Sequence, residues 1–180
     1  ATKGDPARAK QAVEAAEALR GKGDAKAFLE AAQKAKREAA GTDQESAAAA
    51  LVNEANDAVK KQADAAALEA EAKALAGQAR AADDPLLYDG SFRELVTKAK
   101  TVAPDSVARI QAMFDDVVQS GLMRMLGKID MSMAGSPAGY KRVISDIADV
   151  AAKAAAAGPA GKNPGEAAAK KRKEADDKFL

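Results

Sequence analysis

Almost all the side chains here with a capacity for chemistry are carboxylates, lysines and arginines: 27 Asp and Glu, 28 Lys and Arg, no histidine and no cysteine. Without histidine and cysteine, no Ser–His or Cys–His pair can assemble for nucleophilic catalysis. Zinc and haem lose their customary ligands, and the paired Glu-x-x-His of ferritin-like di-iron centres is missing. What is left is carboxylate chemistry. Asp115 and Asp116 fall on one expected helix, and Asp146 and Asp149 lie three apart on the next. Two such pairs can hold Mg²⁺ through oxygen ligands. Phe114, Val117 and Val118 claim the core face of the first helix, however, and Ile147 that of the second. The acids therefore flank the apolar stripes and read as solvated helix faces. The expectation is a protein that is not an enzyme, with no catalytic residue, no cofactor and no metal.

Three other short patterns carry little. Gly158-Pro159-Ala160-Gly161-Lys162-Asn163 lacks the glycine spacing, the Ser or Thr after Lys and the preceding strand of a phosphate loop, and reads as a linker. The basic run Lys170–Lys173 is followed by Glu174, Asp176 and Asp177, which offset its field. Lys-Gly-Asp occurs at Lys3 and at Lys22, where the aspartates have a simpler role as helix caps. Net charge is +1, which gives no global attraction to nucleic acid.

The methionines have more to offer. All 5 lie between Met113 and Met133. Met123, Met125, Met131 and Met133 form the candidate interaction surface, because unbranched thioether side chains adapt to varied helical or lipid partners. Arg124 and Lys128 beside them admit a membrane-surface reading, weakened by Asp115, Asp116 and Asp130.

These residues need elements to hold them, and the pattern is helical throughout. Alanine, the best helix former, fills 49 positions, and no stretch sustains a period of two. The fold class is therefore all-α: an antiparallel helical bundle with an alanine-rich N-terminal hairpin and long helix, and a three-helix core. Asp5, Asp24 and Asp43, 19 residues apart, each follow a glycine or Gly-Thr and precede an alanine-rich run. Their carboxylates suit helix N-caps. Helices are expected over about 6–20, 25–40 and 43–82, the last unbroken although Lys60-Lys61-Gln62 and Asp64 interrupt its stripe. Together they form an arm over 1–84, ended by Asp83-Asp84-Pro85.

Large apolar side chains then become dense: 25 of the 65 residues from Leu86 to Val150, against 9 of the first 84. This is the expected three-helix core, 85–157. Its first helix spans 92–102 behind a Ser91–Glu94 capping box. The second carries the stripe Val107, Ile110, Phe114, Val117, Val118, Leu122, Met125 and Ile129; the third opens at Ser136-Pro137. The rest, 158–180, is expected to be a linker and a solvated helical tail, docked through Phe179 and Leu180 if at all.

The corner Ala18-Leu19-Arg20-Gly21-Lys22-Gly23-Asp24, with Ala27-Phe28-Leu29-Glu30-Ala31-Ala32 after it, resembles the inter-helix corner of tetratricopeptide repeats. The resemblance stops at the corner and implies a helical hairpin, not family membership. Function is expected to be non-catalytic: a structural or protein-interaction module of assembly or scaffold type, meeting a partner or its own copies through the alanine-rich helices. A membrane- or lipid-engaging domain of a secreted protein or toxin is the alternative. A computationally designed helical protein with no native function is third, since regular capping and few aromatics suit that origin. The start at Ala1 implies trimming or processing, compatible with secreted or virion-type settings, and leaves the compartment unknown.

Overall fold

Helix-capping chemistry accounts for most of the element boundaries in the computed structural model, which describes residues 5–180. Among the described residues there are seven α-helices and no strand: α1 Pro6–Glu17, α2 Ala25–Glu38, α3 Glu45–Ala81, α4 Asp89–Val102, α5 Val107–Lys128, α6 Pro137–Ala156 and α7 Lys162–Phe179. Short 3₁₀ turns at Pro85–Tyr88, Pro104–Ser106, Met131–Gly135 and Gly158–Gly161 join the later helices. The all-α class is as the composition requires.

Asp5 and Asp24 cap α1 and α2 as expected, accepting from the Ala7 and Ala27 amides, each at 2.9 Å. Gly21, at φ +72°, turns the chain after α1 in a left-handed conformation that other residues rarely adopt. The third cap is not Asp43. Thr42 Oγ1 accepts from the Gln44 amide at 3.2 Å, and Glu45 reaches back to accept from the Gly41 amide at 2.9 Å. Thr42 and Glu45, and not Asp43, thus supply the side-chain bonds at the turn into α3. Thr42→Ala is expected to lower stability by about 1 kcal/mol, and Asp43→Ala by a few tenths at most, in thermal or urea unfolding.

The chain divides into two compact units inside α3, after Ala67, and not at the Asp83–Pro85 turn. The physical reason is the interruption already visible in the sequence. Residues 60–63 of α3 are exposed, whereas Leu51 and Ala55 before them and Leu68 and Ala72 after them are buried. α3 therefore has two separate buried stripes, one for each unit.

In the first unit, the core consists of Ala9, Ala12, Val13 and Ala16 of α1, Phe28, Ala32 and Ala35 of α2 with Ala39 at its C-cap, and Ala48, Leu51 and Ala55 of α3. Leu19, Leu29 and Val52 close its edges. Arg20 holds the α1–α2 turn to α3 through a two-pronged bond, its Nε and Nη2 donating to Glu54 at 2.7 and 2.6 Å.

The second unit is built on α5. Ile110, Phe114, Val117, Val118, Leu122 and Leu126 are buried along it, and Phe114 packs on Phe92 of α4 with ring centroids 4.9 Å apart. The buried line runs Val118, Leu122, Leu126 in steps of four. Met125 and Ile129, expected in the stripe, are consequently only half-buried at its margin. α4 likewise departs from the capping-box expectation. Asp84 caps the 3₁₀ turn by accepting from Leu86 N–H at 3.0 Å, and that turn runs directly into α4 at Asp89. Ser91 and Glu94 then lie inside the helix, and Val102 at its end is 37% exposed.

The tail is a packed helix and not a solvated one. Pro164, Ala168 and Ala175 of α7 are buried, Lys171 Nζ donates to the Leu126 carbonyl at 2.6 Å, and Tyr140 Oη donates to Asp176 at 2.6 Å. Phe179 stacks on Tyr140 with centroids 4.3 Å apart, while Leu180 is exposed. The stripe that docks α7 is made of methyl groups at helical spacing, which a search for large apolar residues passes over.

Candidate functional site

The end of α5 and the turn after it determine where the methionines go. Leu122 and Leu126 face the interior of the second unit, which places Met123 outside, 44% exposed, and Met125 at the edge. Asp130, two residues past the end of α5, caps the next turn. Its Oδ1 accepts from Ser132 N–H at 3.0 Å and from Ser132 Oγ at 2.7 Å. These bonds hold the Asp130 carboxyl below its ordinary pKa, so the cap stays ionised. The 3₁₀ turn leaves Met131 half-buried and Met133 38% exposed. Ser136 then caps α6, accepting from Gly139 N–H at 3.2 Å, as the Ser-Pro start implied.

Between the end of α5, this turn and α6 lies a cavity of about 370 Å³. Met125, Ile129, Met133, Val143 and Val150 give it apolar walls; Asp83, Asp130, Asp146 and Asp149, with Lys128 and Arg142, make its charged rim. Lys128 Nζ donates to Asp83 at 3.0 Å, and that bond, with the nearby Arg124 charge, lowers the Asp83 pKa. Lys153 lies 2.8 Å from Asp149 and 3.2 Å from Asp84, and the two carboxylates raise its pKa. Among the described residues Asp146 and Arg142 have no ion pair.

Of the four candidate methionines, the structure brings Met125 and Met133 into the cavity wall and leaves Met123 and Met131 beyond it. The two carboxylate pairs do not converge. Asp146 and Asp149 are on the rim, but Asp115 accepts from Gln111 Nε2 at 2.8 Å and Asp116 pairs with Arg80 at 2.7 Å. No group of three or more Asp, Glu, His or Cys is placed to share an ion among the described residues. Gly158–Gly161 is a 3₁₀ turn, and the second Lys-Gly-Asp is spent on the Asp24 cap. The first copy begins at Lys3, outside the described residues. Sequence reasoning missed Asp83, Arg142 and the Val143–Val150 wall. The last of these was open to view, since residues 142, 143, 146, 149 and 150 share one helix face at spacings of three and four.

A polar link lies on the α3–α5 contact of this unit. Buried Ser106 donates Oγ to Glu69 at 2.8 Å, and Arg109 Nε donates to the same carboxylate oxygen at 2.7 Å. These bonds lower the Glu69 pKa, and the Tyr140 and Arg172 bonds do the same for Asp176.

The pH dependence of stability follows. Glu69, Asp83, Asp130 and Asp176 titrate lower when folded than unfolded, so their contribution is complete above the unfolded value near 4 and is lost as pH falls through the lower folded values. Tyr140 and Lys153 are raised, so theirs is lost only as pH rises past about 10. With no histidine or cysteine, the melting temperature is expected to be flat from roughly pH 6 to 9 and to fall on both sides. Glu69→Gln should shallow the acid limb in the same pH series.

No known protein-family model, curated protein or solved structure matches this chain.

Proposed function

We propose that this chain is a non-catalytic helical interaction module whose contact surface is the methionine-lined end of α5. The supporting observation is that Met123 and Met133 remain 44% and 38% exposed beside a cavity walled by Met125, Ile129, Val143 and Val150. Exposed apolar clusters rimmed by polar groups are typical of binding surfaces. The surrounding carboxylates are engaged in holding the fold: Asp84 and Asp130 as caps, Asp83, Asp116 and Asp149 in ion pairs.

A protein partner fits this surface better than anionic lipid, because four of the six charged rim residues are acidic. No helix among the described residues is long and apolar enough to cross a membrane. The alanine faces of α1 and α2 are already covered within the first unit, which moves the proposed contact surface from the alanine-rich helices to the end of α5.

Photo-crosslinking tests the reading. A benzophenone side chain is placed at Met123 or Met133 and, as control, at Lys61, in extracts of the protein's source and in the purified chain. A protein adduct, with a partner or with a second copy, specific to positions 123 and 133 is the expected result. Adducts formed equally at all three positions, or at none, would overturn it.

A further inference from the structure

We propose that the exposed face of α6 pairs two copies of this chain, antiparallel, about a two-fold axis near Ser145. The inference rests on the interaction-module reading and names the partner, a second copy. Charge pattern is the first argument. Arg142, Val143, Asp146, Asp149 and Val150 of α6 border the cavity at the end of α5. Most charges around that cavity are matched within the chain. Lys128 pairs with Asp83, Lys153 with Asp84 and Asp149, and the Lys178 charge acts on Asp130. The region is close to neutral and favours neither a cationic nor an anionic partner. Arg142 and Asp146 are exposed, and among the described residues neither has an ion pair.

These two opposite charges stand one turn apart, about 6 Å along the helix. In an antiparallel pair of α6 helices with the two-fold axis midway between them, each Arg142 meets the Asp146 of the other copy. A parallel pair in register sets Arg142 against Arg142 and Asp146 against Asp146. An antiparallel pair with its axis one turn further on sets Asp146 against Asp149 and Arg142 against Lys153, again like on like. The pattern is self-complementary in one register, which is what an isologous contact requires. Exposed ion pairs of this kind select the register more than they supply affinity.

The shape of the face is the second argument. α5 and α7 pack on the other sides of α6, where Val143, Ile147, Val150 and Ala154 are buried. Ala138, Ser145 and Ala152 are exposed at seven-residue spacing, so they lie along one line beside Arg142 and Asp149. An axis near Ser145 sets Ala138 against Ala152 and Ser145 against itself, and side chains this small let two helices approach closely. Lys141, on the flank, then faces Ala148 and no cation. Met133, 38% exposed just ahead of α6, borders the same face and adds an adaptable apolar contact. One helix face per copy is a small interface, so the dimer is expected to be weak, with a Kd on the order of 100 μM.

Sedimentation velocity of the full chain, from about 1 μM to about 1 mM, is the test. The chain is expected to pass from monomer to dimer, with a midpoint that rises with salt. Arg142→Asp leaves two acids at the contact and Asp146→Arg leaves two bases; each should weaken the dimer by about fivefold or more. Mixing the two variants should restore it to within about twofold, because two acids then face two bases. Asp57→Arg, at an exposed site of α3, should leave it within about twofold. The chain has no cysteine, so Ser145→Cys gives an independent readout. Oxidation in air should link position 145 to its copy several-fold faster than it links the exposed control Ala63→Cys. Thermal unfolding of each variant confirms that the fold is intact.

The pairing is overturned by a chain that stays monomeric throughout, by equal loss in Asp57→Arg, by no recovery on mixing, or by equal linking at 63 and 145. A monomer that still gives adducts at 123 and 133 with a different protein overturns the self-pairing and leaves the interaction module standing. The module reading fails separately, by absence of adducts specific to those two positions.

Discussion

Phe92→Ala is expected to destabilise the second unit by about 3–5 kcal/mol, among the largest losses any single substitution here can produce. Phe92 is 1% exposed and its ring meets Phe114 at 4.9 Å, so truncation removes buried area and leaves a hole beside a second aromatic. The neighbours are poorly placed to refill it. Leu95 and Ala99 are fixed on the same face of α4, and Ile110 is wholly buried on α5. Val13→Ala in the first unit, by contrast, removes two methyl groups from a core otherwise made largely of alanine and should cost roughly 1 kcal/mol. Hydrogen exchange followed by segment reads the two effects apart. Phe92→Ala should lower protection in α4, α5 and α6 while protection in α1 and α2 stays as in the unsubstituted chain. Uniform loss across both units would show that they unfold as one.

That contrast is legible in the sequence, because large side chains concentrate after Leu86. Helix identity was equally legible: alanine content, Asp5 and Asp24 as caps, and Ser136-Pro137 as a start all act through local chemistry. Sequence pattern is ambiguous where two local devices compete or where packing decides. Thr42 and Asp43 are both good caps, and the chain uses Thr42, whose hydroxyl meets the Gln44 amide. Ser91–Glu94 is a valid capping pattern, but Asp84 and the 3₁₀ turn start the helix earlier. The division inside α3 was written in Lys60-Lys61-Gln62, yet the Asp83–Pro85 turn looked the stronger punctuation.

The candidate site was legible in its residue types and not in its grouping. Met125 and Met133 could be named because methionines cluster there, but their meeting across a cavity depends on the turn that Asp130 organises. Asp83 comes from a segment more than forty residues away in sequence, held beside α5 by its bond to Lys128 and by Arg124, which donates to the Arg80 and Ala82 carbonyls. No periodicity along α5 encodes that approach.

Gly161→Ala is the second large expected effect, and it addresses the helix whose packing the sequence concealed. A Cβ at Gly161 would fall well inside contact distance of the Ala154 carbonyl oxygen and 2.6 Å from the Ala154 carbonyl carbon, against backbone that cannot move as a side-chain tip can. The start of α7 must shift off the end of α6, at a cost of about 1–3 kcal/mol in strain and lost contacts. α7 has little with which to resist. Its buried contacts are Pro164, Ala168 and Ala175, with Tyr140–Phe179 stacking and the Lys171 and Asp176 hydrogen bonds at the far side. The variant should therefore release α7 ahead of the remaining core. Trypsin should cut at Lys170–Lys173 several-fold faster than in the unsubstituted chain, with α4 and α5 still protected from hydrogen exchange. Unchanged cleavage would show that the chain absorbs the methyl group at the Gly158–Gly161 turn without moving α7. Gly165→Ala makes the matching control, because a Cβ there meets only the Ala154 side chain, at an ordinary 3.8 Å.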